Sequence, residues 1–400
     1  MSALPQPVEA ERPLRVLVVH NAYQQAGGED GVVAAEVALL LRRGHEVIEM
    51  RRDNAEIWRI GRAHLAAQTL WSHAAHREAA ELVAQHRPDI VHVHNTLPLL
   101  SPSVHWAAAS SGAAVVQTLH NFRLACPQAM FLRDGKVCED CLGRVPLPAV
   151  VHGCYRGSRA QSAVVASMLV LHRAIGTWRH EVDRFIALSE FSRGKFIEAG
   201  LHPERIVVKP NFVEAGRVVE RRRADFVFVG RLSQEKGIDV LAQASEGAHA
   251  KVRVVGDGPE AHRLAGSPRI ARLGRLDADG VRAEMEQAVA LVVPSICFEN
   301  FPRTIVEAYA SALPVIASRL GSLAELVIEG ETGLLFRAGD AADLARAMRW
   351  AEANPEQMAE MGRNARARYE ALYTPGVNYV QLMATYRAAF EAMRSRRSVS

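Results

Sequence analysis

Residues 14–43 read LRVLVVHNAYQQAGGEDGVVAAEVALLLRR, and this stretch decides the fold. The apolar run at 14–20 predicts a strand, and the glycine pair Gly27 and Gly28 predicts a loop. The apolar pattern from Gly31 to Arg43 then predicts a helix. Strand, glycine loop and helix in this order are typical of the first unit of a parallel sheet with helices on both faces.

The alternation of strand and helix patterns continues along the chain. After Gly44 ends the first helix, apolar and β-branched runs predict strands at 45–50, 90–94, 114–118 and 186–190. A charged stretch, Arg217–Asp225, interrupts the pattern and predicts an interdomain connection. A second series of predicted strands follows at 226–230, 251–256, 270–273, 291–294 and 315–318.

The length of 400 residues fits two α/β domains of ordinary size. We predict an α/β fold with two Rossmann-like, doubly wound domains facing a central cleft. The predicted parts are a disordered tail at 1–13, a first domain at 14–215 with an insertion at 122–159, a second domain at 225–375, and a C-terminal helix at 376–400 that packs back on the first domain.

Composition narrows the class of protein. The chain is 49% hydrophobic and 23% charged, as a folded globular protein is, and its net charge of +4 is too small to indicate a nucleic-acid partner. The start, MSALPQPVEAERP, lacks the pattern of a secretory signal, so we predict a cytoplasmic location. The stretch Ser162–Trp178, with arginines nearby, is either an amphipathic surface that docks on the inner face of the membrane or an ordinary core helix.

Arg231 and Lys236 mark the first candidate site. The segment FVFVGRLSQEKGIDVL at 226–241 places both cations on a loop between a predicted strand and a predicted helix. Free N–H groups at a helix start attract a phosphate, which the two side chains can also neutralise. The alternative is a solvated basic turn.

Glu299 and Glu307 mark the second candidate site, in SICFENFPRTIVEAYASALPVIAS at 295–318. Because Pro302 suits the first helical turn, we expect Glu299 on the loop before a helix and Glu307 inside that helix. A loop carboxylate can accept hydrogen bonds from sugar hydroxyls, and a helix carboxylate can hold the two hydroxyls of a ribose. The residues around the predicted helix start, where a diphosphate can bind, are Asn300, Phe301 and Thr304.

Several ordered motifs together resemble a known family. FENFPRTIVEA, ALPVIAS, GSLAELV and EGETGLLF, preceded by VGRLSQEKG and VVGDGPE, resemble the donor domain of glycosyltransferase family 4, the retaining enzymes with the GT-B fold. AGGEDGVVAAEVALLLRRGHEV and DIVHVHN are similar to the usual opening of that family. The resemblance covers roughly residues 14–370.

The resemblance implies a role for each matching residue. Arg231 and Lys236 bind the donor diphosphate and stabilise the leaving group, Glu299 holds the transferred sugar, and Glu307 holds the ribose. Gly27 and Gly28 let the first loop approach the donor. His120, at the end of QTLHN, matches the histidine beside the anomeric carbon, where a neutral imidazole or its carbonyl supports developing positive charge.

The implied reaction moves a sugar with retention from a UDP- or GDP-sugar to a glycan, lipid-linked or other hydroxyl acceptor, in polysaccharide or glycoconjugate synthesis. No Asp-x-Asp motif stands out near a strand end, so we expect no catalytic metal. Ala312 departs from the family pattern, because a glycine commonly precedes the hydrophobic-proline-valine segment. The rival readings are an epimerase-like or phosphorylase-like enzyme and a catalytically silent sugar-nucleotide-binding subunit.

Four of the five cysteines lie within 29 residues, at Cys126, Cys138, Cys141 and Cys154. This grouping, with its C-x2-C knuckle, indicates a closed structural zinc site. The alternatives are unrelated buried thiols or a disulfide pair. The insertion resembles that of bacterial polysaccharide-type transferases. The fifth, Cys297, is expected to be a packing residue.

The alternating histidines of VHVHN at 91–95 point to one face of a strand and could form a metal pair. We favour the simpler interpretation that His94 and Asn95 line the floor of the cleft.

Overall fold

The structure is a computed structural model, and it describes residues 12–24, 27–215 and 223–399. Most of the predicted N-terminal tail, residues 1–11, lies outside the described residues. The same is true of residues 217–222 in the predicted interdomain connection.

The strands fall into two parallel sheets and one short hairpin. They are β1 (Arg15–Ala22), β2 (Glu46–Asp53), β3 (Ile90–Asn95), β4 (Ala114–Thr118), β5 (Leu132–Arg133), β6 (Lys136–Val137), β7 (Arg184–Ala187), β8 (Ile206–Val208), β9 (Phe226–Val229), β10 (Val252–Val255), β11 (Ile270–Gly274), β12 (Ala290–Val293), β13 (Val315–Ser318) and β14 (Gly333–Phe336).

The helices lie between these strands and at the C-terminal end of the described chain. They are α1 (Gly28–Arg42), α2 (Arg62–Leu70), α3 (His73–His86), α4 (Ser103–Ser110), α5 (Leu147–Val151), α6 (Arg159–Ala174), α7 (Thr177–His180), α8 (Glu190–Glu198), α9 (Ile238–Ser245), α10 (Ala278–Gln287), α11 (Arg303–Ala310), α12 (Ser322–Leu326), α13 (Ala341–Ala353), α14 (Pro355–Leu372) and α15 (Pro375–Val399).

The chain divides into two compact units. The first unit comprises residues 1–129, 139–210 and 376–400, and the second comprises residues 130–138 and 211–375. The sheet of the first unit has the strand order β2-β1-β3-β4-β7-β8, and that of the second has the order β11-β10-β9-β12-β13-β14. All neighbouring strands in both sheets are parallel.

Helices bury the central strands of both sheets, which explains why these strands read as nearly continuous apolar runs, whereas the edge strands β2 and β11 are largely exposed. All but the last residue of β3 are buried, and every residue of β4 is buried. The core of the second unit includes Phe226 and Phe228 of β9 and the apolar faces of α9 and α13. Helix α1 begins at Gly28, about one turn before the predicted start at Gly31, because the carboxylate of Asp30 accepts a hydrogen bond from the Gly27 amide at 3.0 Å.

The last helix completes the core of the first unit. Tyr386 of α15 is fully buried, and its hydroxyl lies 2.9 Å from Nδ1 of His92 on β3. Asn378 donates a hydrogen bond to the carbonyl of Pro210 at 2.7 Å. In the part of the chain that the structure describes, no helix is both long enough and apolar enough to span a bilayer.

Candidate functional site

Each sheet has one point at which the order of its strands reverses. In the second unit this switch point lies between β9 and β12, and in the first unit between β1 and β3. Loops that leave the carboxyl ends of strands flank a crevice at such a point, where ligands bind in open α/β sheets.

In the second unit the loops after β9 and β12 pack closely on each other. Gly237 has a φ of 70°, and a Cβ at this position would lie 1.9 Å from the carbonyl oxygen of Pro294. The amide of Ile296 donates to the carbonyl of Glu235 at 3.0 Å. A side chain at Gly237 would push these loops apart, so the glycine is required for their approach.

This approach joins the two sequence motifs through an ion pair. Nζ of Lys236 lies 2.7 Å from Oε1 of Glu299, and Ser295 donates its hydroxyl to the same oxygen at 2.7 Å. Burial opposes the charge on both groups, but each group outweighs that effect on its partner. The pKa of Lys236 is therefore raised, and the pKa of Glu299 is lowered.

Glu307 lies one turn inside α11, with Oε1 3.0 Å from Nε of Arg303. Burial raises the pKa of Glu307, which the charge of Arg303 opposes. Both residues line a cavity of about 150 Å³, together with Val229 at the end of β9 and Ser311. The carboxylate of Glu307 thus lines a cavity beside the switch point.

The remaining predicted donor-site residues surround these loops. Arg231 is exposed, Asn300 and Phe301 are buried at the start of α11, and Thr304 is partly buried in its first turn. The ring of Phe301 contacts Tyr373 at a centroid distance of 6.1 Å. The structure therefore brings Lys236 and Glu299 into direct contact and leaves the guanidinium of Arg231 in solvent.

In the first unit the switch point carries histidines. His94 of β3 and His120, which follows β4, meet with Nδ1 of His94 2.9 Å from Nε2 of His120. Behind them the buried carboxylate of Glu36 lies 3.0 Å from Nζ of Lys209, 3.1 Å from Nδ1 of His92 and 3.6 Å from Nε2 of His94. Lys209 already neutralises Glu36, so this cluster is charge-balanced without an added cation.

The Glu36 carboxylate is ionised although it is buried. Burial favours its neutral form, but Lys209, His92 and His94 together outweigh burial and hold the pKa of Glu36 well below its usual range. Nε2 of His94 lies 3.6 Å from this carboxylate, and the 2.9 Å contact between Nδ1 of His94 and Nε2 of His120 joins one ring donor to one ring acceptor.

His120 and His94 are neutral in the folded protein. Burial lowers the pKa of His120 to about 3 and lowers the pKa of His94 well below its usual range. Both line a small cavity of about 40 Å³ together with Asn95 and Gln117. A neutral imidazole at this position can accept a hydrogen bond or orient a dipole, but it is not a proton donor at neutral pH.

The cysteines and first-loop glycines complete the predicted residues. Within the described residues, which include every cysteine, none forms a disulfide. Cys126, Cys141 and Cys154 belong to the first unit and Cys138 to the second, and the zinc site stays a prediction. Cys297 is buried in the second unit, and burial raises its pKa. Gly27 precedes α1, and a Cβ at Gly28 would meet no atom within 4 Å.

Among the described residues, the only group of three metal-ligand side chains with ligand atoms within 4.8 Å of one another is Glu36, His92 and His94. His92 does not line a crevice: it is fully buried between Tyr386 and Thr118, whose hydroxyl lies 2.8 Å from Nε2. The imidazole of His92 is thus a structural hydrogen bonder.

One sequence expectation is wrong. An Asp-x-Asp motif does follow a strand end, at Asp277 and Asp279 after β11. Asp277 caps α10 by accepting from the Gly280 amide at 2.8 Å, and Asp279 lies 3.4 Å from Arg282. Helix capping therefore explains the position of Asp277.

Two family models match this chain, one in its N-terminal half and one in its C-terminal half. Residues 26–217 match the family described as Glycosyltransferase Family 4, and residues 223–354 match the family described as Glycosyl transferases group 1. The D-inositol 3-phosphate glycosyltransferase of Streptomyces avermitilis is 30% identical over 350 residues, which cover 78% of this chain and 68% of that protein. The chain belongs to glycosyltransferase family 4.

Other relatives match this family 4 member over shorter lengths. The D-rhamnosyltransferase WbpZ of Pseudomonas aeruginosa is 32% identical over 228 residues, which span 52% of this chain and only 60% of that relative's own length. The fold is shared more widely. Sucrose-phosphate synthase from Thermosynechococcus elongatus aligns with a TM-score of 0.70 and 19% identity over 95% of this chain and 100% of that chain.

A structure of Anabaena HepE in complex with UDP aligns with a TM-score of 0.65 and 18% identity, over 94% of this chain and 100% of that one. At these identities the alignments show the fold alone. They confirm the predicted α/β class with two Rossmann-like domains of the GT-B type.

Sequence reasoning missed three residues of this family 4 protein's first unit: Glu36, Lys209 and Tyr386. Glu36 is the single acid in the apolar stretch VVAAEVALLL, and Lys209 follows the apolar β8. A lone charge within an apolar run is the signal that was available, because such a charge is buried only with a partner.

Proposed function

We propose that this family 4 glycosyltransferase moves a sugar, with retention of anomeric configuration, from a nucleoside diphosphate sugar to a hydroxyl of a glycan, lipid-linked or other acceptor, in polysaccharide or glycoconjugate synthesis. The observation that carries the proposal is the Lys236–Glu299 ion pair at the switch point of the second sheet. A cation and a hydrogen-bond acceptor held 2.7 Å apart suit a ligand that joins a phosphate to a sugar.

In this proposal Lys236 and Arg231 bind the diphosphate and stabilise it as it leaves. Lys236 is held by Glu299, whereas the exposed Arg231 is free to move onto a phosphate. Amide groups of the first turn of α11, near Asn300, Phe301 and Thr304, add partial positive charge. The HepE structures contain UDP or UDP-glucose, and a Corynebacterium glutamicum relative, 38% identical over 114 residues, is named GDP-mannose-dependent alpha-mannosyltransferase. We propose a UDP- or GDP-sugar accordingly.

The two glutamates divide the recognition of the donor. Glu299 accepts hydrogen bonds from the transferred sugar, and Glu307, in the cavity beside Val229, holds the ribose hydroxyls. Gly27 and Gly28 let the first loop approach the donor. Neutral His120 supports positive charge that develops on the sugar, and the departing diphosphate takes the proton of the acceptor hydroxyl.

We propose that the reaction needs no catalytic metal, because Lys236, Arg231 and a helix start supply the positive charge at the diphosphate. Zinc, in this proposal, is structural and bound by Cys126, Cys138, Cys141 and Cys154. Elemental analysis of protein purified under reducing conditions tests this, with about one zinc per chain expected. Replacing Cys138 and Cys141 with Ser releases the ion if the assignment is right, whereas His92→Gln leaves it bound.

The experiment that tests the function is hydrolysis of a panel of UDP- and GDP-sugars by the purified protein, in the presence of a strong chelator of divalent cations. We expect one or a few donors to be cleaved and the rate to survive chelation. Loss of the rate that returns with magnesium or manganese contradicts the metal-free reaction. Nucleotide binding without turnover on any donor supports the catalytically silent subunit instead, and inversion at a sugar carbon without transfer supports an epimerase.

A further inference from the structure

A long stretch of the first unit contains no acidic residue. Between residues 141 and 180 the sequence has no Asp or Glu, yet it has five arginines. For a chain in which 44 of 400 residues are acidic, this is a marked local bias. The stretch includes α5 and α6, so the positive charge belongs to a folded surface and not to a tail.

The same stretch exposes large apolar side chains. Among the described residues thirteen large apolar side chains are exposed, and six of them lie between residues 145 and 175. Val145, Leu147 and Val151 are 67%, 62% and 51% exposed, and the other three are Val170, Leu171 and Ile175. Single exposed apolar residues are ordinary, but a group of this kind marks an interaction site.

Packing holds the exposed residues together. Helix α5 packs against α6, and the amide of Tyr155 donates to Ser162 of α6 at 2.9 Å. At the other end of α6, Arg173 donates to the carbonyl of Arg144 at 2.9 Å, which ties the segment before α5 to the turn that carries Val170 and Leu171. We call the exposed side chains of residues 144–179 the basic apolar surface.

Helix α6 exposes Val170 and Leu171 on one side. Its other face is buried through Val165, Met168 and Leu169, and this face already supplies the packing that the core needs. The exposed apolar residues lie outside the core of the unit. Covering them with another surface would remove apolar area from water, which is favourable in free energy.

We propose that the basic apolar surface docks on an anionic lipid bilayer. Charge complementarity favours an anionic bilayer, because the stretch has arginines and no carboxylate, and arginines bind phosphate head groups. The exposed apolar side chains can insert at the boundary between the head groups and the acyl chains. Arginines bury their stems while the guanidinium stays with the phosphates. The proposal concerns binding alone and does not rest on the transfer reaction.

Sedimentation of the full chain with vesicles tests the proposal. One set of vesicles is phosphatidylcholine alone, and the other contains about one third phosphatidylglycerol. We expect binding to the anionic vesicles only, and weaker binding as salt is raised, because screening reduces the attraction. Failure of the unmodified chain to sediment with anionic vesicles at low salt overturns the proposal.

Two double variants locate the surface. Arg144→Glu with Arg159→Glu should weaken binding about tenfold or more, because two attractive charges become repulsive. Leu147→Ser with Val151→Ser should weaken it at unchanged net charge. The matched control, Arg363→Glu with Arg387→Glu, changes two exposed arginines elsewhere by the same charge and should bind like the unmodified chain. Circular dichroism checks that each variant folds.

The outcomes separate this proposal from its rivals. Equal losses in the control and in the charge variant mean that only net charge matters, which overturns the proposal. If light scattering shows a dimer that the Leu147 and Val151 substitutions dissociate, and vesicle binding does not change, the surface is a contact between copies. Hydrolysis of free nucleotide sugar, measured in parallel without vesicles, reports the transferase site alone, so failure of either idea is visible without the other.

Discussion

The two sheets differ in what they place at the same topological position. At the switch point of the second sheet, Lys236 and Glu299 form a charged pair with side chains 29% and 13% exposed. At the switch point of the first sheet, His94 and His120 are neutral and backed by the buried Glu36–Lys209 pair. The second switch point thus holds a partly exposed ion pair, whereas the ion pair of the first is buried near two neutral histidines.

This difference teaches that the fold sets the position of a site and not its chemistry. Both strand orders reverse once, yet the loops at the second switch point hold the Lys236–Glu299 ion pair, whereas the first switch point holds the neutral pair His94 and His120. If this division between a charged and a neutral crevice holds, substitutions and acid should affect the two crevices differently.

The largest expected effect is on the charged crevice. Lys236→Ala and Arg231→Ala should each lower turnover at least about tenfold, since a charge-assisted contact to a diphosphate contributes about 1.5–3 kcal/mol. Lys251→Ala, at an exposed lysine of the same unit, is the control and should keep its rate. Initial rates at subsaturating donor measure the effect. Near-normal turnover in both variants would remove the donor-site assignment.

Acid should weaken the neutral crevice before the charged one. Among the described residues, the histidines whose pKa burial lowers all lie in the first unit, and His105 has a pKa of about 4 against an ordinary 6.5. Unfolded chains bind protons to these histidines below pH 6.5, whereas the folded protein does not, so stability falls as the pH falls. By pH 5 one such histidine costs the first unit about 2 kcal/mol.

The Lys236–Glu299 pair behaves differently over this range. Because the pKa of Glu299 lies below 4.5, the stability that the pair contributes is lost only at lower pH. Hydrogen exchange at pH 7 and pH 5, corrected for intrinsic rates, should show faster opening in β3 and β4 than in β9 and β12. His105→Gln should reduce the difference. Equal changes in both sheets would contradict this account.

The two glutamates of the second unit should separate in a binding experiment. Glu307→Gln should weaken nucleoside diphosphate binding about fivefold to tenfold, since contacts to the ribose hydroxyls are lost. Glu299→Gln should lower turnover more than it lowers nucleotide affinity, because the nucleotide lacks the sugar. Calorimetry and steady-state rates give the two numbers. A reversed pattern would exchange the two roles.

The smallest effect is expected at Ala312, which follows α11. Its φ is 51°, in the left-handed region where an alanine is strained. Ala312→Gly should raise the free energy of unfolding by about 1 kcal/mol and leave turnover unchanged. Denaturation by urea measures it. A lower stability for the glycine variant would mean that the loss of chain entropy exceeds the strain.

The second sheet and its site were largely predictable from sequence. The strands observed from β9 to β13 lie within one or two residues of the predicted runs, because each is a short apolar segment that ends at a glycine, a proline or a polar residue. Since carboxyl ends of parallel strands share one edge, motifs that follow β9 and β12 had to lie close together. The 2.7 Å contact between Lys236 and Glu299, which the sequence analysis did not predict, is consistent with that topology.

The charge cluster of the first unit was not predictable in the same way. Glu36 and Lys209 are 173 positions apart, and His92 and Tyr386 are 294 apart. No local pattern pairs residues at such distances. Asp277 is difficult for a different reason, although its contact is local. A capping carboxylate and a metal-binding carboxylate look alike in sequence, and only the hydrogen bond from the Gly280 amide identifies Asp277 as a cap.

The interrupted course of the first unit bears on how the protein is made. Its sheet is complete once Val208 has been synthesised, yet Asn378 and Tyr386, which contact Lys209 and His92, are added only after all of the second unit. During synthesis the second unit can therefore finish its core while the first still lacks two partners of buried polar groups. A chain that ends just after Pro375 would hold every residue of the second unit but would still lack α15, which supplies Asn378 and Tyr386 to the first unit.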